Sequence, residues 1–352
     1  MNDTARSVVL CRPGCLEVRE IPVPRIPGQA ERVRMRACGI CGSDVRYLAG
    51  ENPWSLHTLG VNQPCPPNMV LGHEVAGFVD RNGAERPVAV LAYRGCGVCR
   101  ECRTGRENLC GATQHIGHGA GWGEMEYYPG GMAEEFEVWE GFAHEIPGSI
   151  SFEEATFLDG LAVAIHACDR AGVHAGSRVA VVGLGPIGMM AAQVARDRGA
   201  EEVIACDAAA FPVELAKHLG FESARSCDGL ELFRHAAGRS ARFDAIVDTV
   251  GEVRSIEAGL EVLAPGGVAA LLAVHEGALT YQTARISSER YVTTSANNRY
   301  ADFRTAIELL GSGKVVVSPL ITHRFPLSEA VRAFEVMTHK EANRAYKIVL
   351  VP

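Results

Sequence analysis

The chain has 352 residues, of which 47% are apolar and 22% charged, and a formal net charge of −8. That length permits two domains of ordinary size, each with its own core. The acidic balance argues against a nucleic-acid-binding surface, and no apolar stretch approaches the ~20 residues that a membrane-spanning helix needs.

Residues 1–150 are rich in short β-like runs, turns, glycine and proline. Ser7–Leu10, Val33–Cys38, Glu74–Val79 and Pro87–Leu91 read as strands, with Pro22, Pro24 and Pro27 interrupting the chain between the first two. Cys38-Gly-Ile-Cys41-Gly-Ser43-Asp44 follows the second strand, and Gly72-His73-Glu74 opens the third. Cysteine and histidine ligate zinc, and a carboxylate can complete a site that keeps one position open. A histidine ahead of a strand is also a common structural residue. Residues 50–69, with Trp54 and His57, and residues 111–131, with His115, His118 and Trp122, read as long loops. Loops of that length are usually functional or mobile.

Cys96, Cys99, Cys102 and Cys110 stand in a C-x2-C-x2-C-x7-C pattern. Four thiolates gathered by tight turns make an all-sulfur tetrahedral shell, which suits zinc. A ferredoxin-type cluster would place its fourth cysteine three residues after the third, ahead of proline. Here the gap is seven and Gly111 follows. Disulfides would need an oxidising compartment, and residues 1–13 carry no secretory pattern, so a cytoplasmic location is expected. The remaining cysteines, Cys11 and Cys15 among them, are scattered and read as ordinary core or surface residues.

The texture changes at residue 151. Strands Arg178–Val182, Glu202–Cys206, Phe243–Val247 and Val268–Leu272 alternate with helices Pro186–Arg198, Phe211–Leu219 and Val253–Leu263. This alternation predicts a doubly wound parallel sheet. After residue 290 the pattern is mixed again: helix Ala301–Leu310, strand Ile321–Phe325, helix Leu327–Met337 and strand Tyr346–Val351. The expected organisation is a domain built from residues 1–150 and 291–352, with a nucleotide-binding domain, residues 151–290, inserted.

Gly183-Leu-Gly185-Pro186-Ile187-Gly188 joins a buried strand to a helix, and Asp207 lies nineteen residues past the last glycine. This is the dinucleotide-binding fingerprint in its required context. Gly183 makes the tight turn, Gly185 admits the pyrophosphate, Gly188 lets helix and strand approach, and the helix N-terminus presents amides to the phosphates. Asp207, ending the second strand, is placed to accept both ribose hydroxyls. Ala208, Ala209 and Ala210 follow it, with no cation to neutralise a 2′-phosphate. NAD is therefore expected over NADP.

Cys-Gly-Ser-Asp, Gly-His-Glu, the four-cysteine knot and Gly-Leu-Gly-Pro-Ile-Gly, in that order, resemble the zinc-containing medium-chain alcohol/polyol dehydrogenases. The resemblance covers nearly the whole chain, including Leu263-Ala-Pro-Gly-Gly267 and Thr322-His-Arg-Phe-Pro-Leu-Ser-Glu-Ala330. The sorbitol, threonine and butanediol dehydrogenase branch is the most similar. The implied fold is a GroES-like β-rich catalytic domain plus a Rossmann domain.

The resemblance implies two zinc ions per chain. One is structural, on Cys96, Cys99, Cys102 and Cys110. The other is catalytic, on Cys41, His73 and Asp159, with Glu74 joining directly or through water. It implies that Ser43 takes the proton of a secondary alcohol and that hydride passes to a nicotinamide held near Thr249, Val250, Ala273 and Val274. Arg299 matches an Arg-Tyr pair that touches substrate or cofactor; a surface ion pair is the other reading. Where relatives carry a relay histidine, this chain has Arg46-Tyr47, and Arg46 cannot act as an ordinary base. The loop with Trp54 and His57 is a candidate cap over a sugar-like substrate, and residues 111–131 a lid or subunit contact. Homodimers or homotetramers are expected, through the strand at 267–272 and residues 275–290. Two alternatives are an NAD-binding redox sensor or scaffold without turnover, and a ketone or quinone reductase of the same fold.

Overall fold

A computed structural model describes residues 3–59, 61–238, 241–273, 277–280 and 282–352. The chain divides into two compact units. One comprises Met1–Asp159, Arg299–Ser312 and Val317–Pro352; the other comprises Gly160–Asn298 and Gly313–Val316.

The first unit is β-rich. Its main sheet has seven strands, running Ala143–Glu145, Ala84–Val90, Glu74–Arg81, Ala30–Gly39, Lys347–Val351 and Ile321–Pro326, with Glu135–Trp139 pairing laterally on Ala30–Gly39. A smaller sheet joins Cys15–Pro22, Thr4–Arg12 and Met69–Val70. Val8, Val9 and Leu10 are all fully buried, so both faces of the N-terminal strand are covered. Close sheet packing depends on Gly77, where a Cβ would lie 2.1 Å from the Arg34 carbonyl oxygen.

The second unit holds a six-stranded parallel sheet in the order Arg225–Ser226, Glu202–Asp207, Arg178–Val182, Phe243–Asp248, Leu263–Leu271, Tyr291–Thr294. Its central strands are runs of Val, Ala and Ile because helices cover both faces. Helix Pro186–Asp197 buries Met189 through Ala195 in one block. Among the described residues no helix is long and apolar enough to cross a membrane.

Several sequence expectations need correction. Cys15–Pro22 is a strand, formed because the Pro13-Gly14 turn, with φ +74 at Gly14, returns the chain against Thr4–Arg12. Residues 50–69 contain a helix, Pro53–Leu59, which Pro53 opens. Leu158–Arg170 and Gly229–Gly238 are further helices that the reading did not single out. Leu263-Ala-Pro-Gly-Gly267, whose Pro-Gly-Gly reads as a turn, is part of a strand: Leu263 pairs with Phe243, and the register shift before Val268 absorbs the Pro-Gly-Gly. Tyr291–Thr294, placed by the sequence with the first domain, pairs in parallel with Val268–Leu271 and belongs to the second unit. The strand at 267–272 is an interior strand, so it offers no free edge to a partner.

Candidate active site

Turns draw the four-cysteine knot together. Its sulfurs lie within 4.8 Å of one another. Backbone amides point at them: Cys96 N donates to the Cys110 sulfur at 3.3 Å, Cys99 N to Cys96 at 3.4 Å, and Cys102 N to Cys99 at 3.5 Å. Amides of Val98 and Cys99 hold the Cys96 thiol down to about 6, a ready thiolate, while burial pushes Cys102 up to about 12. Gly95 leaves the room required, since a Cβ there would sit 2.8 Å from the Cys102 sulfur. Four sulfur donors with amide support fit one zinc ion in a closed shell, with no position for substrate.

A second donor set lies in the same unit. Cys41 caps helix Gly42–Leu48, and Asp44, three residues on, returns its Oδ2 to the Cys41 amide at 2.9 Å. His73 follows Gly72, whose φ of +94 and 2.5 Å virtual contact with Met132 exclude any side chain there. This turn swings His73 and Glu74 toward Cys41, and donor atoms of all three lie within 4.8 Å of one another. Ser43, in the first turn of the helix, has a buried Oγ with no hydrogen-bond partner among the described residues. An orphaned buried hydroxyl costs about 1–3 kcal/mol, which a ligand hydroxyl would recover.

The local charge favours a cation. Burial works against an imidazolium at His73, yet the Cys41 sulfur and the Asp44 and Asp159 carboxylates outweigh it and lift His73 to about 10. Asp44 is fully buried and is pushed up to about 6 by that burial, with His73 opposing. A divalent ion is the natural replacement for the proton that this environment holds. Cys38 stands apart: burial pushes its thiol well up and it takes no part in the donor trio.

Asp159 lies in the first turn of helix Leu158–Arg170, outside the Cys41–His73–Glu74 trio but near enough to favour charge on His73. Glu74 is bonded to Lys347, an interior lysine that also sits 5.2 Å from the Phe157 ring centre. The sequence reading missed this partner. The signal was a lysine inside the apolar run Ala-Tyr-Lys-Ile-Val-Leu-Val.

The loop at 111–131 also reaches this site. His118 Nε2 lies 3.2 Å from His73 Nδ1, and its Nδ1 lies 3.0 Å from the Tyr47 hydroxyl. His115 packs 3.9 Å from the His118 ring and is driven down to about 3 by burial and then by His73. Trp122 fixes the loop by donating to the His115 carbonyl at 3.0 Å. Arg46 is paired with Glu51 at 2.7 Å, and Arg299 with Asp302 at 2.7 Å. The His57 side chain lies outside the described residues.

The second unit assembles the fingerprint at one end of its sheet. Gly183 has φ +87, and a Cβ there would sit 2.4 Å from Thr249 Oγ1. Gly188 lies against the Gly183 carbonyl, where a Cβ would come within 1.9 Å, whereas a Cβ at Gly185 would meet nothing within 4 Å. Open space at Gly185, beside the N-terminus of helix Pro186–Asp197 in which Ile187 follows Pro186, suits an approaching pyrophosphate. Asp207 accepts from Leu184 N at 2.8 Å and Ala209 N at 2.9 Å, which fixes its carboxylate at the strand end. Thr249 donates to the Val182 carbonyl at 2.9 Å, and Val250 beside it is exposed. Ala273 follows the strand end, and Val274 lies outside the described residues.

Two family models match the chain: an alcohol dehydrogenase GroES-like domain over residues 27–148, and a zinc-binding dehydrogenase over residues 186–312. Human sorbitol dehydrogenase is 33% identical over 347 residues, covering 94% of this chain and 91% of its own length. D-xylulose reductase of Saccharomyces cerevisiae is 28% identical, covering 99% and 98%. A zinc-binding dehydrogenase of Sinorhizobium meliloti, crystallised with NADP, superposes with a TM-score of 0.85 at 27% identity over the full length of both chains.

Proposed function

The chain belongs to the zinc-containing medium-chain alcohol and polyol dehydrogenases, and from that membership we infer an NAD-linked oxidation of a polyhydroxylated secondary alcohol to a ketone. The observation that carries this reading is the buried Ser43 hydroxyl, without a partner among the described residues, two residues beyond Cys41 of the Cys41–His73–Glu74 donor set.

Cys41, His73 and Asp159 would hold the catalytic zinc. The charges decide between the two carboxylates. Glu74 is neutralised by Lys347, whereas Cys41 thiolate, neutral His73 and Asp159 together supply the two negative charges that match Zn²⁺. When bound, zinc would supply the Lewis acidity that lowers an alcohol's pKa, and a nicotinamide would supply the hydride acceptor. Ser43 relays the hydroxyl proton: Oγ accepts it while the serine's own hydroxyl proton passes on to a ribose hydroxyl of the cofactor or to water, so the side chain stays neutral. Asp44 and His118 hold the His73 ring, through its Nδ1 side, at 3.9 and 3.2 Å. Gly183, Gly185 and Gly188 admit the dinucleotide, and Asp207 takes the ribose hydroxyls, where a 2′-phosphate would meet like charge.

The substrate class rests on two supports. The relatives are named for sorbitol and D-xylulose. The rings beside His73, His118 and His115, are polar, which suits hydroxyls better than an alkyl chain. Tyr291–Thr294, with Tyr291 60% exposed, is the outermost strand of its sheet among the described residues, which supports homo-oligomer assembly by sheet extension.

A panel of polyols, cyclitols and amino alcohols, followed by NADH formation, tests the reading. Turnover on a polyol that is lost in Cys41→Ser, together with one equivalent of zinc, is the expected result. Full activity in Cys41→Ser would overturn it.

A further inference from the structure

Cys11, Cys15 and Glu17 sit on the N-terminal hairpin, remote in sequence from both cysteine motifs. The strand register brings them to one face. Val9 pairs directly with Glu17, Leu10 with Leu16, and Arg12 with Cys15, while Cys11 is the extra residue of a bulge. Residues two apart on a strand share a face, so Val9 and Cys11 lie with Glu17 and Cys15. The two sulfurs and a Glu17 oxygen all lie within 4.8 Å of one another, the same closeness that gathers the four-cysteine knot. All three residues are half-exposed, so water can complete a coordination shell. The turn itself is fixed, because Gly14 N donates to the Leu48 carbonyl at 2.7 Å, tying the hairpin tip to the helix that carries Ser43.

We propose that Cys11, Cys15 and Glu17 form a further metal site, for a single thiophilic divalent ion such as Zn²⁺, separate from both donor sets already described. The charges support it. Without metal, Cys15 donates its thiol proton toward Glu17 Oε1 at 3.6 Å, and Arg19 pairs with Glu17 at 2.7 Å. Neutral thiols, one carboxylate and one guanidinium sum to zero. With the ion bound, two thiolates and the carboxylate carry three negative charges, which the ion and Arg19 cancel. Binding thus exchanges two thiol protons, released to solvent, for one divalent cation at constant local charge. Two sulfurs and one oxygen select a borderline-soft ion over calcium or magnesium. Three donors with an open position hold it less tightly than the four-thiolate knot. Its consequence is mechanical: the ion clamps both strands at the turn that supports helix Gly42–Leu48.

The test is a zinc titration of the full chain under a non-chelating reductant, with bound metal counted at each free-zinc level. Wild type binds one equivalent beyond those of the other two donor sets. The Cys11→Ser/Cys15→Ser variant loses that equivalent alone and keeps its dehydrogenase turnover. Glu17→Gln keeps the ion with at least tenfold weaker affinity. Cadmium gives a second readout, a thiolate charge-transfer absorption that is smaller in the double variant by the share of two sulfurs. A wild type that saturates without the additional equivalent overturns the proposal. So does an additional equivalent that persists in the double variant.

Discussion

Lys347 and Glu74 form a buried ion pair behind the Cys41–His73 donors, with both side chains almost wholly removed from solvent. Burial opposes the charge on Lys347, but the Glu74 carboxylate and then Cys41 raise it above the ordinary lysine value. Gly39 makes room for the contact, since a Cβ there would lie 2.7 Å from both partners. Removing one partner strands the other charge. Lys347→Met is therefore expected to destabilise the protein by about 3–5 kcal/mol, and adding Glu74→Gln to recover much of that loss. Denaturant unfolding of the two single variants and the double variant checks this. Additive losses would show that the pair is not coupled.

The same pair bears on the choice of metal ligand. If Glu74 is neutralised by Lys347, its charge is not available to zinc, and Asp159 must supply the second negative charge. Asp159→Asn is expected to lose catalytic zinc to a chelator far more readily than wild type, by more than the ~10–100-fold typical of an outer-shell partner. Glu74→Gln should retain the metal. Zinc counting on both variants after dialysis decides it, and the reverse order would make Glu74 the ligand.

Much of this site was legible before any coordinates. The knot cysteines and the Gly183–Gly188 turn are local patterns whose spacing goes far to dictate geometry, whereas only the family resemblance separates Cys41 from Cys38. What escaped was long-range. Lys347 is 273 residues from Glu74 and reaches it only because strand Lys347–Val351 lies beside Ala30–Gly39. Cys11 and Cys15 looked scattered because the hairpin register that sets Thr4–Arg12 against Cys15–Pro22, with its bulge at Cys11, is invisible in their spacing. The loop at 111–131 has no periodicity, so only folding shows that His118 stops against His73. The interior position of Leu263–Leu271 likewise depends on Tyr291–Thr294, a short strand with little signal of its own.

His118 contacts the His73 ring at Nδ1 and is itself held by Tyr47. A histidine that orients a ligand typically contributes ~10–100-fold to metal affinity. His118→Phe should therefore release catalytic zinc faster to a chelator and raise KM for the alcohol, while the knot zinc stays. Tyr47→Phe should show the same direction with a smaller effect. Unchanged zinc release in His118→Phe would reduce the contact to packing.

Asp207 is tied by Leu184 N and Ala209 N, which holds its carboxylate at the strand end, where the ribose hydroxyls are proposed to lie. A hydrogen bond to a charged group contributes about 1.5–3 kcal/mol, or roughly 10–100-fold in affinity. Asp207→Ala should raise KM for NAD by that factor and narrow the preference against NADP, since the like charge is gone. Initial rates with both cofactors check it. A wild type that already prefers NADP would refute the ribose assignment.

Ser43 offers the most direct probe of the chemistry. Its Oγ is buried, has no partner among the described residues and lies in the helix turn that begins at Cys41. A hydroxyl that takes a proton in the transition state contributes ~10²–10⁴-fold to rate. Ser43→Ala should lower kcat within that range while zinc content and NAD binding stay as in wild type. The alanine also removes an unsatisfied buried polar atom, so the ligand-free protein should become no less stable, and slightly more stable where the methyl fits. Ser43→Thr keeps the hydroxyl and should keep most of the activity. The two readouts separate the roles: a structural serine would lose stability on truncation, whereas a catalytic one loses rate and keeps its melting temperature.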